Sequence, residues 1–171
     1  MQLKDVYIIC SEGEAEDNLF GYLKTKYNSK KKSFKAKPLG GFSTITVFKR
    51  KYNRVYKEIG LRGSKPNERV HFVFLIDNDL DDSDKIVEFI RTEGHEVQLC
   101  ERNTETALLG LAGVTLTVDT PLPDFRKKFK TKFIEKFGKE AHKMKDADFD
   151  ELFDESIFAT NFAVLHKIFN S

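Results

Sequence analysis

The sequence predicts an α/β fold: a mainly parallel sheet of about four strands, flanked by helices and followed by a C-terminal helical extension. Three observations carry this. Short runs of β-branched and aromatic residues recur through the first hundred positions, D-V-Y-I-I-C and V-H-F-V-F-L-I being the clearest, and read as buried strands. Helix-forming segments separate them, giving the order β-α-β-α-β-α-β, the pattern of a parallel sheet with helical crossovers. Two of the strands run directly into acids, and the C-terminal ends of strands are where open α/β sheets bind ligands.

The elements follow in order. Asp5 to Cys10 is the first strand. Ser11 and Glu14 make an S-x-x-E capping box, which opens a helix to about Tyr27 with Leu19, Phe20 and Leu23 on one face. A lysine-rich turn leads into a second strand, Ser33 to Pro38. Gly40-Gly41 marks a tight turn, and Ser43 caps a helix to about Ile59. A loop over 60–68 precedes the most hydrophobic strand, Val70 to Ile76. The acidic loop Asp77 to Asp82 follows, then a helix from Ser83 or Asp84 to Glu93 that Gly94 ends. His95 to Cys100 alternates as a fourth strand. Beyond it come a short helix, Thr104 to Leu111, and a strand-like Gly113 to Val118. Two Phe-rich amphipathic helices, Asp124 to Gly138 and Asp146 to Phe169, complete the chain. The expected organisation is an α/β core over 1–103 with a helical extension over 104–171 packed on it as one structural domain.

At 171 residues and 40% apolar, the chain can bury a substantial core. No apolar run approaches the roughly 18 residues of a membrane span, and the start shows no signal-peptide pattern, so the expected location is the cytoplasm. The two cysteines, Cys10 and Cys100, close apolar stretches and read as buried thiols rather than as a disulfide or zinc site. The net charge of +2 conceals blocks. Residues 24–65 hold fourteen Lys/Arg against the single acid Glu58, and 126–145 hold nine against two acids. Between them, 66–105 hold eleven acids against four Lys/Arg. An acidic pocket facing a polyanion held by surrounding cations would produce this distribution; so would ordinary solvated helix faces.

The acids carry the chemistry. Glu12, Gly13 and Glu16 follow the first strand; Asp77, Asp79, Asp81 and Asp82 follow the third. Oxygen ligands with no Cys or His beside them favour Mg²⁺ or Mn²⁺ over zinc. In an extended segment Asp77 and Asp79 share a face and reach one ion, with Asp81 continuing the alternation and Asp82 pointing elsewhere. Glu12 suits a ligand or a general acid–base, and Glu16, one turn further along the helix, a second ion. Gly13 allows close backbone approach at a helix N-terminus that favours anions. The same acids fit a second reading, as first-turn residues complementing the helix dipole and as solvated caps. Crowded carboxylates repel, which argues against that second reading for Asp77 and Asp79.

The two motifs, their order and their spacing resemble the Toprim domain, which carries a Glu-Gly after its first strand and an Asp-x-Asp after a later one. Here these are Glu12-Gly13 and Asp77-Asn78-Asp79. The extended form E-G-E-A-E is most similar to the small RloB-like and OLD-nuclease branch, whose usual form E-G-x-T-E differs by Ala15 in place of Thr. Gly40-Gly41-Phe42-Ser43 is also Toprim-like, and the likeness covers about 5–100. It implies a Rossmann-like parallel sheet and metal-dependent phosphodiester cleavage of DNA or RNA, in bacterial or phage defence. It further implies Mg²⁺ or Mn²⁺ on Glu12, Glu16, Asp77, Asp79 and Asp81, with Glu12, Asp77 and Asp79 catalytic. OLD-type nucleases add a cationic residue, for which Arg102 and Lys65 are the positional candidates. Phosphate-contact candidates are Lys49, Arg50, Arg54, Lys57, Lys127, Lys128 and Lys130. Phe42 and Tyr52 are candidates for base stacking, and core packing also fits Phe42.

Other readings stand beside this one. The same fold could serve as a non-catalytic module that recognises nucleic acid or a partner protein, alone or as a homodimer. A metal-dependent enzyme for a small phosphorylated substrate would have little use for the basic blocks. A receiver-like phospho-acceptor domain fits poorly with Glu-Gly at the first strand. The chain has no G-x-x-x-x-G-K-[ST] phosphate loop and no zinc ribbon, which argues against a fused ATPase and a primase.

Overall fold

The structure, a computed structural model, describes residues 3–29, 31–61, 68–100, 104–111, 114 and 122–171. Four strands form the sheet: β1 (Lys4–Ser11), β2 (Lys32–Pro38), β3 (Glu68–Asp77) and β4 (Glu96–Cys100). Every pairing is parallel, and the order is β2-β1-β3-β4. The α/β architecture read from the strand pattern is therefore present. The connecting helices are α1 (Glu14–Tyr27), α2 (Ile45–Leu61) and α3 (Ser83–Thr92). Helices α4 (Thr104–Leu111), α5 (Leu122–Phe137), α6 (Asp146–Leu152), α7 (Glu155–Asn161) and α8 (Ala163–Asn170) follow, with a short 3₁₀ turn at Ala141–Lys143.

Side chains alternate across a strand, so a strand covered on both faces must be apolar at nearly every position. Val6, Ile8, Cys10, Phe72, Phe74 and Ile76 point into a core shared with Phe48, Tyr52 and Val55 of α2 and Ile86, Val87 and Ile90 of α3. Ile9, Val73 and Leu75 point the other way, into a second core with Leu19 and Leu23 of α1. Much of that second core is the aromatic payload of the C-terminal helices: Phe133, Phe149, Phe158, Phe162 and Phe169. Both cysteines are buried and neither is in a disulfide, and burial pushes the Cys10 thiol up to about 12.

Among the described residues, polar ties hold the helical extension to the sheet at both edges. Gln98 of β4 is buried; its Oε1 accepts from the Val164 N–H at 2.9 Å, and its Nε2 donates to the Leu99 carbonyl at 3.0 Å and the Asn161 carbonyl at 3.4 Å. At the other edge, Lys32 Nζ donates to the Ile168 carbonyl at 3.3 Å and to Ser171 Oγ at 2.9 Å.

Three local expectations are corrected. Helix α1 does not begin at Ser11: β1 runs through Ser11, which pairs with Pro38, and the N-cap falls on Gly13. The helix foreseen over Asp146 to Phe169 is three helices. Asp154 Oδ1 accepts from the Ser156 N–H at 2.8 Å and the Ile157 N–H at 3.2 Å, so a new helix starts there, and the chain turns again at Phe162 (φ −130°, ψ 48°). The first residue of the α2 cap is Thr44, whose Oγ1 faces the Val47 N–H at 3.5 Å, and not Ser43. The strand foreseen over 113–118 lies outside the described residues except at Val114. No helix among the described residues is long and apolar enough to cross a membrane.

Candidate functional site

The order β2-β1-β3-β4 means that the chain leaves β1 to one side, through α1 and β2, and returns to its other side at β3. Helices α1 and α2 consequently cover opposite faces of the sheet. The gap beyond the C-terminal ends of β1 and β3 is a topological switch point, where open α/β sheets have a crevice. Both acidic motifs stand there. Each β1 residue lies opposite the β3 residue numbered 64 higher, from Lys4 against Glu68 to Cys10 against Phe74. Continued along the strands, this register sets Asp77 level with Gly13, beside Glu12. Asp77 closes β3 opposite Cys100, and the Asn78 N–H donates to the Cys100 carbonyl at 3.0 Å.

The loop after β2 forms the other wall. Gly40 adopts φ +73°, a left-handed conformation that glycine takes without strain. A methyl group on Gly41 would lie 3.7 Å from Glu12 Oε1, so the glycine pair is in contact range of the first motif's acid. Lys51 reaches back from α2, and its Nζ donates to the Leu39 carbonyl at 3.0 Å. The sequence reading passed over Lys51, because only the loop's folded path brings its backbone to that side chain.

The acids divide into distinct roles. Glu16 is buried, and its Oε2 accepts from the Gly13 N–H at 3.0 Å, so it serves as the reciprocal cap of α1. Gly13 has no side chain to complete the other half of a capping box. Ser11, fully buried, donates from Oγ to Asp17 Oδ1 at 3.2 Å. Asp82 has left the loop's acidic group: Oδ2 accepts from the Ile45 N–H at 3.0 Å, capping α2, and Oδ1 receives Lys85 Nζ at 2.7 Å. The Lys85 ammonium, followed by the Ile45 N–H, holds the Asp82 carboxyl below its ordinary range. Asp79 is half-buried and Asp81 exposed. The chain turns at Asn78 and Asp79 directly after β3, so the extended alternation expected to align Asp77, Asp79 and Asp81 is not formed. Among the described residues no three His, Cys, Asp or Glu side chains are gathered closely enough to hold a metal ion. The donor chemistry of Glu12, Asp77 and Asp79, carboxylate oxygen throughout, is that of a hard divalent cation.

The remaining candidates are spread more widely. Arg102 and Lys65 lie outside the described residues. Phe42 and Tyr52 are buried in the α2–α3 core and are not available to stack on a base. The Tyr52 hydroxyl donates to Glu93 Oε2 at 3.3 Å and lies 3.0 Å from His95 Nε2. Burial, with the Glu93 charge, pushes Tyr52 up to about 12, and burial lowers the His95 imidazole. Lys49, Arg50, Arg54 and Lys57 are all exposed on α2. Lys127, Lys128 and Lys130 are exposed on α5, which packs through Phe133 into the core on the other side of the sheet. The phosphate-contact candidates on α2 and on α5 therefore belong to different layers. Helix α2 is tied directly to the acidic loop through Asp82. No protein-family model matches the chain, and neither a curated protein nor a solved structure does.

Proposed function

We propose that this protein is a Toprim-type enzyme that cleaves nucleic-acid phosphodiesters with the help of Mg²⁺ or Mn²⁺. What supports the proposal is that Glu12-Gly13 and Asp77-Asn78-Asp79 follow the neighbouring parallel strands β1 and β3, at the switch point of the four-stranded sheet. Glu12, Asp77 and Asp79 are not closed into a three-ligand group, so they would have to draw together on an ion, which would then neutralise the phosphate and make a bound water acidic enough to attack. Gly13 opens the end of α1 to the phosphate, and Gly41 borders the Glu12 carboxylate. In this reading Glu12 would also move a proton to or from the reacting oxygen. Because Glu16 is occupied as a cap, the reading requires one ion rather than two.

A second reading is a nucleic-acid- or partner-binding module without catalysis. It is favoured by the use of Glu16 and Asp82 as helix caps, which removes two acids from the cluster. One experiment separates the two. Mg²⁺ and Mn²⁺ binding is followed by calorimetry on the wild type and on Asp77→Ala/Asp79→Ala, with cleavage assays on single- and double-stranded DNA and RNA. Metal binding and cleavage that both vanish in a folded variant support the enzyme. Metal-independent retention of nucleic acid without cleavage supports the module, and cleavage that survives in the variant ends the role assigned to these acids.

A further inference from the structure

Helix α2 carries a cationic face that its own structure leaves unbalanced. Phe48, Tyr52 and Val55 bury one side of the helix in the core. Thr46, Lys49, Arg50, Asn53, Arg54 and Lys57 are all exposed. At 3.6 residues per turn these six positions fall within an arc of about 140°, opposite the buried side. Lys49 to Lys57 covers about 12 Å of helix axis. The arc holds four cations and no acid. Glu58, the one acid of the helix, sits at its margin and binds Lys37 Nζ at 3.0 Å. Lys49 Nζ lies over the Phe89 ring at 4.8 Å. Among the described residues no carboxylate pairs with Arg50, Arg54 or Lys57.

A solvated helix ordinarily interleaves acids with its bases, because like charges at i and i+4, as at Arg50 and Arg54, oppose helix formation. A run of spaced cations without acids is matched by a partner that supplies anions at a similar spacing, and a phosphate backbone does so. The location specifies more. Asp82 pins the first turn of α2 to the acidic loop, so the cationic face begins near the acid motifs and leads away from them along the α2–α3 side of the sheet.

We infer that the exposed face of α2 binds the phosphate backbone of a nucleic-acid strand extending from the acidic site, through three or four phosphates contacted by Lys49, Arg50, Arg54 and Lys57. The ligand is therefore a polynucleotide and not a mono- or dinucleotide. The inference takes its second anchor, the acidic site, from the proposed function; the binding face stands without it.

The test uses the full chain in EDTA, where cleavage cannot intervene. Fluorescence anisotropy measures binding of a labelled 20-nucleotide single strand, a 20-base-pair duplex, a dinucleotide and poly-glutamate. With three or four phosphates neutralised, raising salt from 50 to 200 mM weakens polynucleotide binding by about 20-fold (single strand, three contacts) to about 150-fold (duplex, four contacts). Arg54→Ala and Lys57→Ala each reduce the salt slope by about one. Arg50→Glu/Arg54→Glu, checked for unchanged circular dichroism, abolishes polynucleotide binding, and the dinucleotide binds neither protein. Polynucleotide affinity that survives the double reversal overturns the inference, as does poly-glutamate binding as tightly as the polynucleotides. Asp77→Ala, assayed for binding in EDTA and for cleavage with Mg²⁺ or Mn²⁺ restored, separates the two proposals. Loss of cleavage with retained binding supports both, whereas retained cleavage alongside binding lost on α2 reversal overturns only the acid assignment.

Discussion

Replacing Gln98 by Leu removes the strongest polar tie between the sheet and the C-terminal helices. Gln98 is 6% exposed, and its amide satisfies three backbone groups on two sides. The bond that matters most runs from the Val164 N–H at 2.9 Å, because that N–H lies in the first turn of α8 and has no partner within its own helix. The contact to the Asn161 carbonyl at 3.4 Å is long and contributes little. Leaving one buried donor unpaired costs about 1–3 kcal/mol, and the apolar surface that Leu buries returns part of that, so the net loss is about 1–2 kcal/mol. For a chain of this length the melting temperature falls by about 2–8 °C. Gln98→Glu gives a second signature. The new carboxyl can still accept from Val164, but once ionised it faces the carbonyl oxygens of Leu99 and Asn161 in a buried setting. Burial and those two carbonyls outweigh the single N–H, so its folded pKa lies above the value of about 4.3 in the unfolded chain. A raised folded pKa means the variant is most stable below the unfolded value and loses stability as pH rises through the folded one. Thermal melts of both variants between pH 4 and 8 provide the assay. A Gln98→Leu melting temperature within about 1 °C of wild type, or a pH-independent deficit in Gln98→Glu, would refute the reasoning.

Three further outcomes follow from contacts elsewhere. Arg69 and then His71 hold the Asp5 carboxyl down to about 2, with Arg69 Nε at 2.6 Å and His71 Nε2 at 2.8 Å. This depressed pKa stabilises the fold above the ordinary carboxyl value of 3.8, and the gain is lost as pH falls through about 2, so urea titrations should find Asp5→Asn less stable at pH 7 and most of that difference gone at pH 2. Phe48→Ala empties a fully buried site ringed by Phe42, Tyr52, Phe74 and Phe89 and costs about 3–5 kcal/mol by urea unfolding; a loss below about 1 kcal/mol would mean the α2–α3 layer is not packed as described. Gly40→Ala forces a side chain into φ +73° and against Lys51 Nζ, and lowers stability by about 1 kcal/mol, whereas an unchanged melt would contradict the left-handed turn.

The sheet was legible because its signal is local and redundant. β1 and β3 are apolar on both faces, and helix-forming segments separate the strands, so their existence and parallel sense follow from local sequence, whereas the order β2-β1-β3-β4 does not. The start of α1 was not legible. Ser11 and Glu14 satisfy the spacing of a capping box, but the pairing of Ser11 with Pro38 extends the strand past the would-be cap. Glu16 then takes the role expected of Glu14, and a residue read as a possible ion ligand becomes a cap. The C-terminal phenylalanines recur at helical intervals from Phe149 to Phe169, and no Gly or Pro interrupts them. The breaks come from the Asp154 side chain and the turn at Phe162, which periodicity does not register. At the acidic loop the sequence shows which acids follow β3, while the turn at Asn78 and the bond from Asp82 to Ile45 depend on neighbouring elements. Tyr52 shows the same limit: its helix position was foreseen, but its burial against Phe74 and His95 required the fold.

The register between β1 and β3 also has a temporal meaning. Lys4 must find Glu68, so the strand synthesised first waits for a partner 64 residues away. At ordinary elongation rates that interval is about 3–13 s, far longer than a helix needs to form. Until then β1 can pair with β2 on one side, while the row of backbone groups destined for β3 stays open. V-Y-I-I-C is thus a nascent apolar edge during synthesis, the kind of segment that aggregates when it lingers. The lysines of β2 and its flanks, Lys31, Lys32, Lys35 and Lys37, emerge next and give that early hairpin-sized intermediate a strong positive charge. Like charges keep such chains apart, so this basic segment would protect the nascent protein before it contributes anything to the finished one.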